Sequence, residues 1–328
     1  MKYKIILCVV LSLCLLLTSC GGIAELPGDE VPTTEPDTTE PSNGPNDGPG
    51  DGPNDGPGEP EKHYEVPPFA YAVFHDCAEN NGVKLDLSAT AEGYVAVSAV
   101  SDARLKFQVL KDDVTYTYDI GSDGAPSVFP LQSGNGTYTF RVMENVAESK
   151  YAVKYATDAE VNLKDEFQPY IRPSEYADYT EDSACVKLAS GFSAEAGDEL
   201  DVVSAVFDYI CESVTYDKEK AETVKSGYLP DPDETLASGK GICFDYASLA
   251  AAMLRSQGIP TKVIFGYVSP NDLYHAWNMF YTKETGWVTV EYEVSADTWN
   301  RLDLTFSANE ADETFIIDGA NYTDVYIY

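Results

Sequence analysis

The chain has 328 residues and carries 55 Asp and Glu against 21 Lys and Arg, a formal net charge of −34. Hydrophobic residues at 44% and aromatics at 12% supply enough apolar surface for packed cores, and the length suits about two domains. So negative a chain lacks the clustered cations that hold a phosphate backbone or an anionic lipid surface, so the common nucleic-acid readers are excluded; three histidines leave no room for a His-rich metal site.

At the N-terminus, Lys2 and Lys4 precede an apolar run from Ile5 to Leu17. That run is too short for a permanent membrane helix, and residues 1–19 read as a cleaved signal peptide. Leu17-Thr-Ser-Cys20 resembles the bacterial lipobox, which implies lipidation at Cys20 and a mature chain anchored to the cell membrane on its extracytoplasmic face. Residues 20–63 then form a disordered acidic tether. Two near-copies of a Pro/Gly/Asp unit, Gly44–Asp51 and Gly52–Glu59, follow one another there, and neither can bury surface.

Over residues 64–178 the apolar pattern has period two. Strands are expected at Val83–Ala89, Tyr94–Val100, Leu105–Leu110, Val114–Tyr118, Thr137–Val142 and Tyr151–Ala156, with turn residues such as Asp112-Asp113 between them. Short strands at this spacing predict an all-β, sandwich-like domain. Its His75 and Cys77 read as packing rather than as a ligand pair.

From 179 to 328 helices come first and strands follow, an α+β arrangement. Leu200, Val203, Phe207, Ile210 and Val214 recur at helical spacing behind Asp198 and Glu199, and Cys211 beside that stripe reads as a small core hydrophobe. A second helix is expected over Phe244–Gln257. Strands follow at Lys262–Val268, His275–Thr282, Trp287–Val294, Trp299–Phe306 and Thr314–Ile317.

Cys243 follows Gly239-Lys-Gly-Ile and opens the second helix. A thiol there feels the macrodipole and unpaired N–H groups, which favour thiolate and would face an oxyanion. A buried structural cysteine is the bland alternative. A thiol nucleophile needs a base, and His275 is the only histidine of this region; in a strand its ring and Trp277 share a face. A third group must orient the imidazole, and Glu291 and Asp303 both qualify.

Gly241-Ile-Cys-Phe-Asp-Tyr-Ala247, His275-Ala-Trp-Asn278 and Trp299-Asn-Arg-Leu-Asp-Leu-Thr305 together resemble the core of transglutaminase-like proteins, a papain-like Cys-His-Asp family. The resemblance spans about Asp198 to Phe306 and implies a nucleophile helix packed on an antiparallel sheet. It also implies Cys243 as nucleophile, His275 as base and Asp303 as the orienting residue. Leu304 stands where the family usually has Pro, so Glu291 stays in competition. Tyr216 and Tyr228 are candidate oxyanion donors.

The chemistry implied is acyl transfer or hydrolysis at peptide or carboxamide bonds of a peptide or protein near the cell envelope. No metal or cofactor is expected. If Cys243 stays a thiol, Cys77, Cys185 and Cys211 can form at most one disulfide, and Cys77–Cys185 is conceivable. Two other readings stand beside the enzyme: a cell-surface binding or adhesion protein that keeps the fold without chemistry, and a chain whose β domain is the functional part.

Overall fold

The computed structural model describes residues 63–268, 273–289 and 322–328. The expectations for the signal peptide, Cys20, the tether up to residue 62, Glu291, Asp303 and the strands at Trp299–Phe306 and Thr314–Ile317 lie outside the described residues.

The N-terminal part is β-rich, with β1 (Glu79–Asn80), β2 (Val83–Asp86), β3 (Tyr94–Ala99), β4 (Leu105–Lys111), β5 (Val114–Ile120), β6 (Ser127–Pro130), β7 (Gly136–Ala147) and β8 (Lys150–Val161). They form two antiparallel sheets, ordered β1-β2-β3-β6 and β5-β4-β7-β8. Alternation decides which residues point inward. Leu105, Phe107 and Val109 of β4 and Tyr138, Phe140 and Val142 of β7 are all buried, as the period of the pleat requires. Asp112 takes a φ of 51° in the two-residue turn between Lys111 and Val114, a left-handed geometry that Asp tolerates. Phe129 of β6 joins the two sheets, its ring 4.8 Å from Phe107 and 4.6 Å from Tyr118.

The C-terminal part runs α1 (Ala184–Glu195), α2 (Glu199–Ser213), β9 (Thr215–Tyr216), α3 (Lys218–Thr223), α4 (Pro232–Ser238), β10 (Lys240–Gly241), α5 (Cys243–Ser256), β11 (Thr261–Val268), β12 (Leu273–Thr282), β13 (Gly286–Thr289) and β14 (Tyr322–Ile327). Helices do precede strands. Asp198 caps α2 by accepting from Leu200 N and Asp201 N at 3.1 and 3.2 Å, which satisfies donors that no helical carbonyl reaches. The expected stripe is borne out: Val203, Phe207, Ile210 and Val214 are buried. Helix α1 was not expected. Its first two N–H groups donate to Asp233 of α4, each at 2.9 Å, so its cap lies far off in the chain.

Helix α5 is buried on every side from Asp245 to Ser256. It packs on an antiparallel sheet ordered β13-β12-β11-β14. Ala247 and Ala251 of α5, Val263 of β11 and Ala276 of β12 belong to the same buried cluster as Phe107 and Phe140. One core therefore serves both parts of the described chain.

At the far end of α5, the Arg255 guanidinium is 2% exposed. It donates to the carbonyls of Thr261 at 2.8 Å, Arg172 at 3.1 Å and Tyr328 at 3.2 Å, and to Ser174 Oγ at 3.2 Å. Burial pulls its pKa down to about 10, so it stays a cation at neutral pH. Arg255→Met would leave three buried carbonyls without this donor. The expected loss, about 3 kcal/mol or more, would show as a lower urea midpoint.

Glu175, in the segment joining the two parts, is raised to about 8 by burial and by the charges of Asp119 and Asp178. The folded chain thus holds a proton that the unfolded chain releases above its ordinary value of 4.5. Stability is then lost as pH rises through the folded value. Glu175→Gln should raise the melting temperature at pH 9 and leave it nearly unchanged at pH 4.

Candidate functional site

Cys243 is the first residue of α5, half-buried, and its position is fixed from several directions. Gly239 to Gly241 run parallel to β9, pairing Lys240 with Thr215 and Gly241 with Tyr216. Asp217 N donates to Gly241 O at 2.8 Å. A Cβ on Gly241 would stand 2.6 Å from the Asp245 Cβ, closer than real contacts allow, so the Gly before Cys243 is a steric requirement.

Asp245 is fully buried two residues into the helix and organises this end of it. Its Oδ2 accepts from Ile242 N at 2.7 Å, capping α5, and lies 2.8 Å from Lys220 Nζ. Its Oδ1 accepts from the Tyr228 hydroxyl, which in turn accepts from Lys220 Nζ at 2.7 Å. Burial and the Asp245 hydrogen bond push Tyr228 up to about 12. Burial alone would lower Lys220, yet its bonds to Asp245 and Tyr228 raise it overall. The Tyr228 proton is thus committed to Asp245, which argues against Tyr228 as an oxyanion donor. Tyr216 packs against the helical core from β9.

On the sheet side, Asn278 Nδ2 donates to Ala247 O at 2.9 Å and to Lys262 O at 3.1 Å, clamping β12 onto α5. His275, 4% exposed, lies opposite Gly266. Alternation groups it with Trp277, the set opposite Ala276 and Asn278. Tyr274 is raised mainly by burial, with Cys243 among the further contributors. Phe244, next to Cys243, packs its ring 4.8 Å from Phe265 and 5.3 Å from Tyr176.

The sequence missed the Lys220–Asp245–Tyr228 cluster. Asp245 carried a readable signal, an acid three residues past the cap position; Lys220 carried none. The other candidates fall elsewhere. The exposed His75 has its Nδ1 3.1 Å from the buried Asp86. Cys77, Cys185, Cys211 and Cys243 form no disulfide among the described residues, so the conceivable Cys77–Cys185 bridge is not formed. Among the described residues no group of three potential metal ligands occurs, and no helix is long and apolar enough to cross a membrane.

With this geometry in view, comparison with known proteins becomes informative. The family model of the transglutaminase-like superfamily matches residues 186–292. That stretch is a transglutaminase-like domain. Its match takes in α2, the Cys243 helix and the His275 strand. YebA of Bacillus subtilis (strain 168), an uncharacterized protein, is 30% identical over 122 residues, covering 32% of this chain and 16% of its own length. The chain thus spans less than a fifth of that relative. Among solved structures, a candidate cysteine protease from Cytophaga hutchinsonii is 15% identical with a TM-score of 0.34, covering 72% of this chain and 86% of its own. LapG of Legionella pneumophila is 16% identical with a TM-score of 0.28, over 44% and 79% of the two chains. Red sea bream transglutaminase is 15% identical with a TM-score of 0.26, over 60% and 47%.

The steric role of Gly241 is testable against a control. Gly191 in α1 has open space around its would-be Cβ. Gly241→Ala should cost about 1–3 kcal/mol by urea denaturation, while Gly191→Ala should leave stability unchanged or raise it by up to about 1 kcal/mol.

Proposed function

We propose that the protein is an extracytoplasmic thiol enzyme, anchored through Cys20 and its tether, that performs acyl transfer or hydrolysis at peptide or carboxamide bonds. The observation that carries this reading is the placement of Cys243: a free, half-buried thiol at the first turn of a buried helix that packs on the strand holding His275. The unpaired N–H groups of that turn favour thiolate and would stabilise an oxyanion. In this reading Cys243 attacks the carbonyl, His275 protonates the departing amine, Asp303 orients the imidazole, and water or an amine resolves the thioester. The β-rich region, as a sandwich-like domain, would stand between tether and enzyme and help to present a peptide or protein substrate near the cell envelope.

One observation favours a second reading. His275 is grouped by alternation with Trp277 rather than with Asn278, which bonds to α5, whereas turnover requires its ring to reach the sulfur. A binding or adhesion protein that keeps the fold without turnover would have no such requirement. Iodoacetamide separates the two. In the enzyme, Cys243 alkylates faster than a model thiol below pH 7, and His275→Ala slows that alkylation. A profile that His275→Ala leaves unchanged, with Cys243→Ala leaving every amide-bond activity intact, selects the binding protein.

A further inference from the structure

A cleft of about 220 Å³ opens where α5, β11 and β14 meet the edge of the β-rich region. Its walls include Tyr176, Phe244, Phe265, Tyr274 and Tyr326, with Thr115 and Thr117 of β5 on the far side. The rings form a connected set. Phe265 and Tyr274 stack at 6.2 Å, and Phe244 lies edge-on to both Phe265 and Tyr176.

Two positions tie this cleft to the thiol. Phe244 adjoins Cys243 in the chain, and Tyr274 feels Cys243 electrostatically. Among the described residues no charged side chain lines the cleft. A Lys or Arg buried there would lose its hydration with no carboxylate to replace it. An aromatic side chain instead gains ring contacts on several sides, which add to the area it buries. The volume suits one such side chain. Tyr274 and Tyr326 stand 50% and 38% exposed, so the cleft is open to an incoming chain.

We propose that this cleft is a specificity subsite that seats an aromatic side chain of a peptide substrate beside the carbonyl attacked by Cys243. The inference rests on the enzyme reading of Cys243 and names its substrate class: peptides with an aromatic residue close to the reacting amide.

The test uses the purified full chain and matched peptidyl chloromethyl ketones that differ at one side chain, Phe, Leu, Lys or Ala, with labelling of Cys243 read by mass spectrometry. The Phe probe should label at least tenfold faster than the Ala probe, with Lys no faster than Ala. Tyr274→Ser should narrow the Phe-to-Ala ratio below threefold. Binding of the corresponding Phe and Ala peptide amides to Cys243→Ala protein, by calorimetry, should show the same order without any chemistry. Equal labelling by Phe and Ala probes, with Cys243 still hyper-reactive to iodoacetamide, overturns the subsite and leaves the enzyme reading standing. Ordinary iodoacetamide reactivity with no labelling by any probe overturns both. Faster labelling by the Lys probe than by the Phe probe overturns the aromatic assignment.

Discussion

The arrangement depends on one buried cation. Arg255 sits where the nucleophile helix ends, and its donors reach the joining segment at Arg172 and Ser174, the start of β11 at Thr261 and the end of β14 at Tyr328. A guanidinium placed there suits several backbone carbonyls at once, because its donors fan out in one plane. The cost of removing the charge from water is met by those bonds together. Through this side chain, the position of α5 is tied to the β-rich part and to the sheet at the same time.

The opposite end of α5 is held by a negative group. Asp245 caps the helix from within, and Lys220 and Tyr228 hold Asp245 from α3 and the loop before α4. An acid in the first turn complements the helix dipole, and the lysine offsets its burial. Cys243 lies between Ile242 and Asp245, which are bonded to each other, so its backbone is fixed by groups that take no part in attack on a carbonyl. Rigidity and reactivity are supplied by different residues.

Much of this could be read from the chain alone, and the exceptions share a cause. Helix α5 announced itself through Gly-x-Gly-Ile-Cys followed by an alanine-rich run, and α2 through its apolar stripe and acidic start. The strands with clear alternation, β4, β5 and β7, were placed within a few residues. Helix α1 was missed because its cap, Asp233, comes from another helix. Strand β6 is short, preceded by Pro126 and ending on Pro130, and β14 is a strand only because β11 lies beside it. At the site, local signals placed Cys243 and Asp245, but neither Lys220 nor the aromatic cleft could be foreseen. They are assembled from segments that meet only in three dimensions.

The pairing of β11 with β14 has a kinetic side. The β11–β12 hairpin can close quickly, since its strands are neighbours in the chain, whereas Val263 and Tyr328 must find each other across a long intervening segment. Loop-closure entropy makes that step slow. Until it is complete, Arg255 lacks its Tyr328 partner and β11 keeps an open edge, the kind of edge on which another chain can pair.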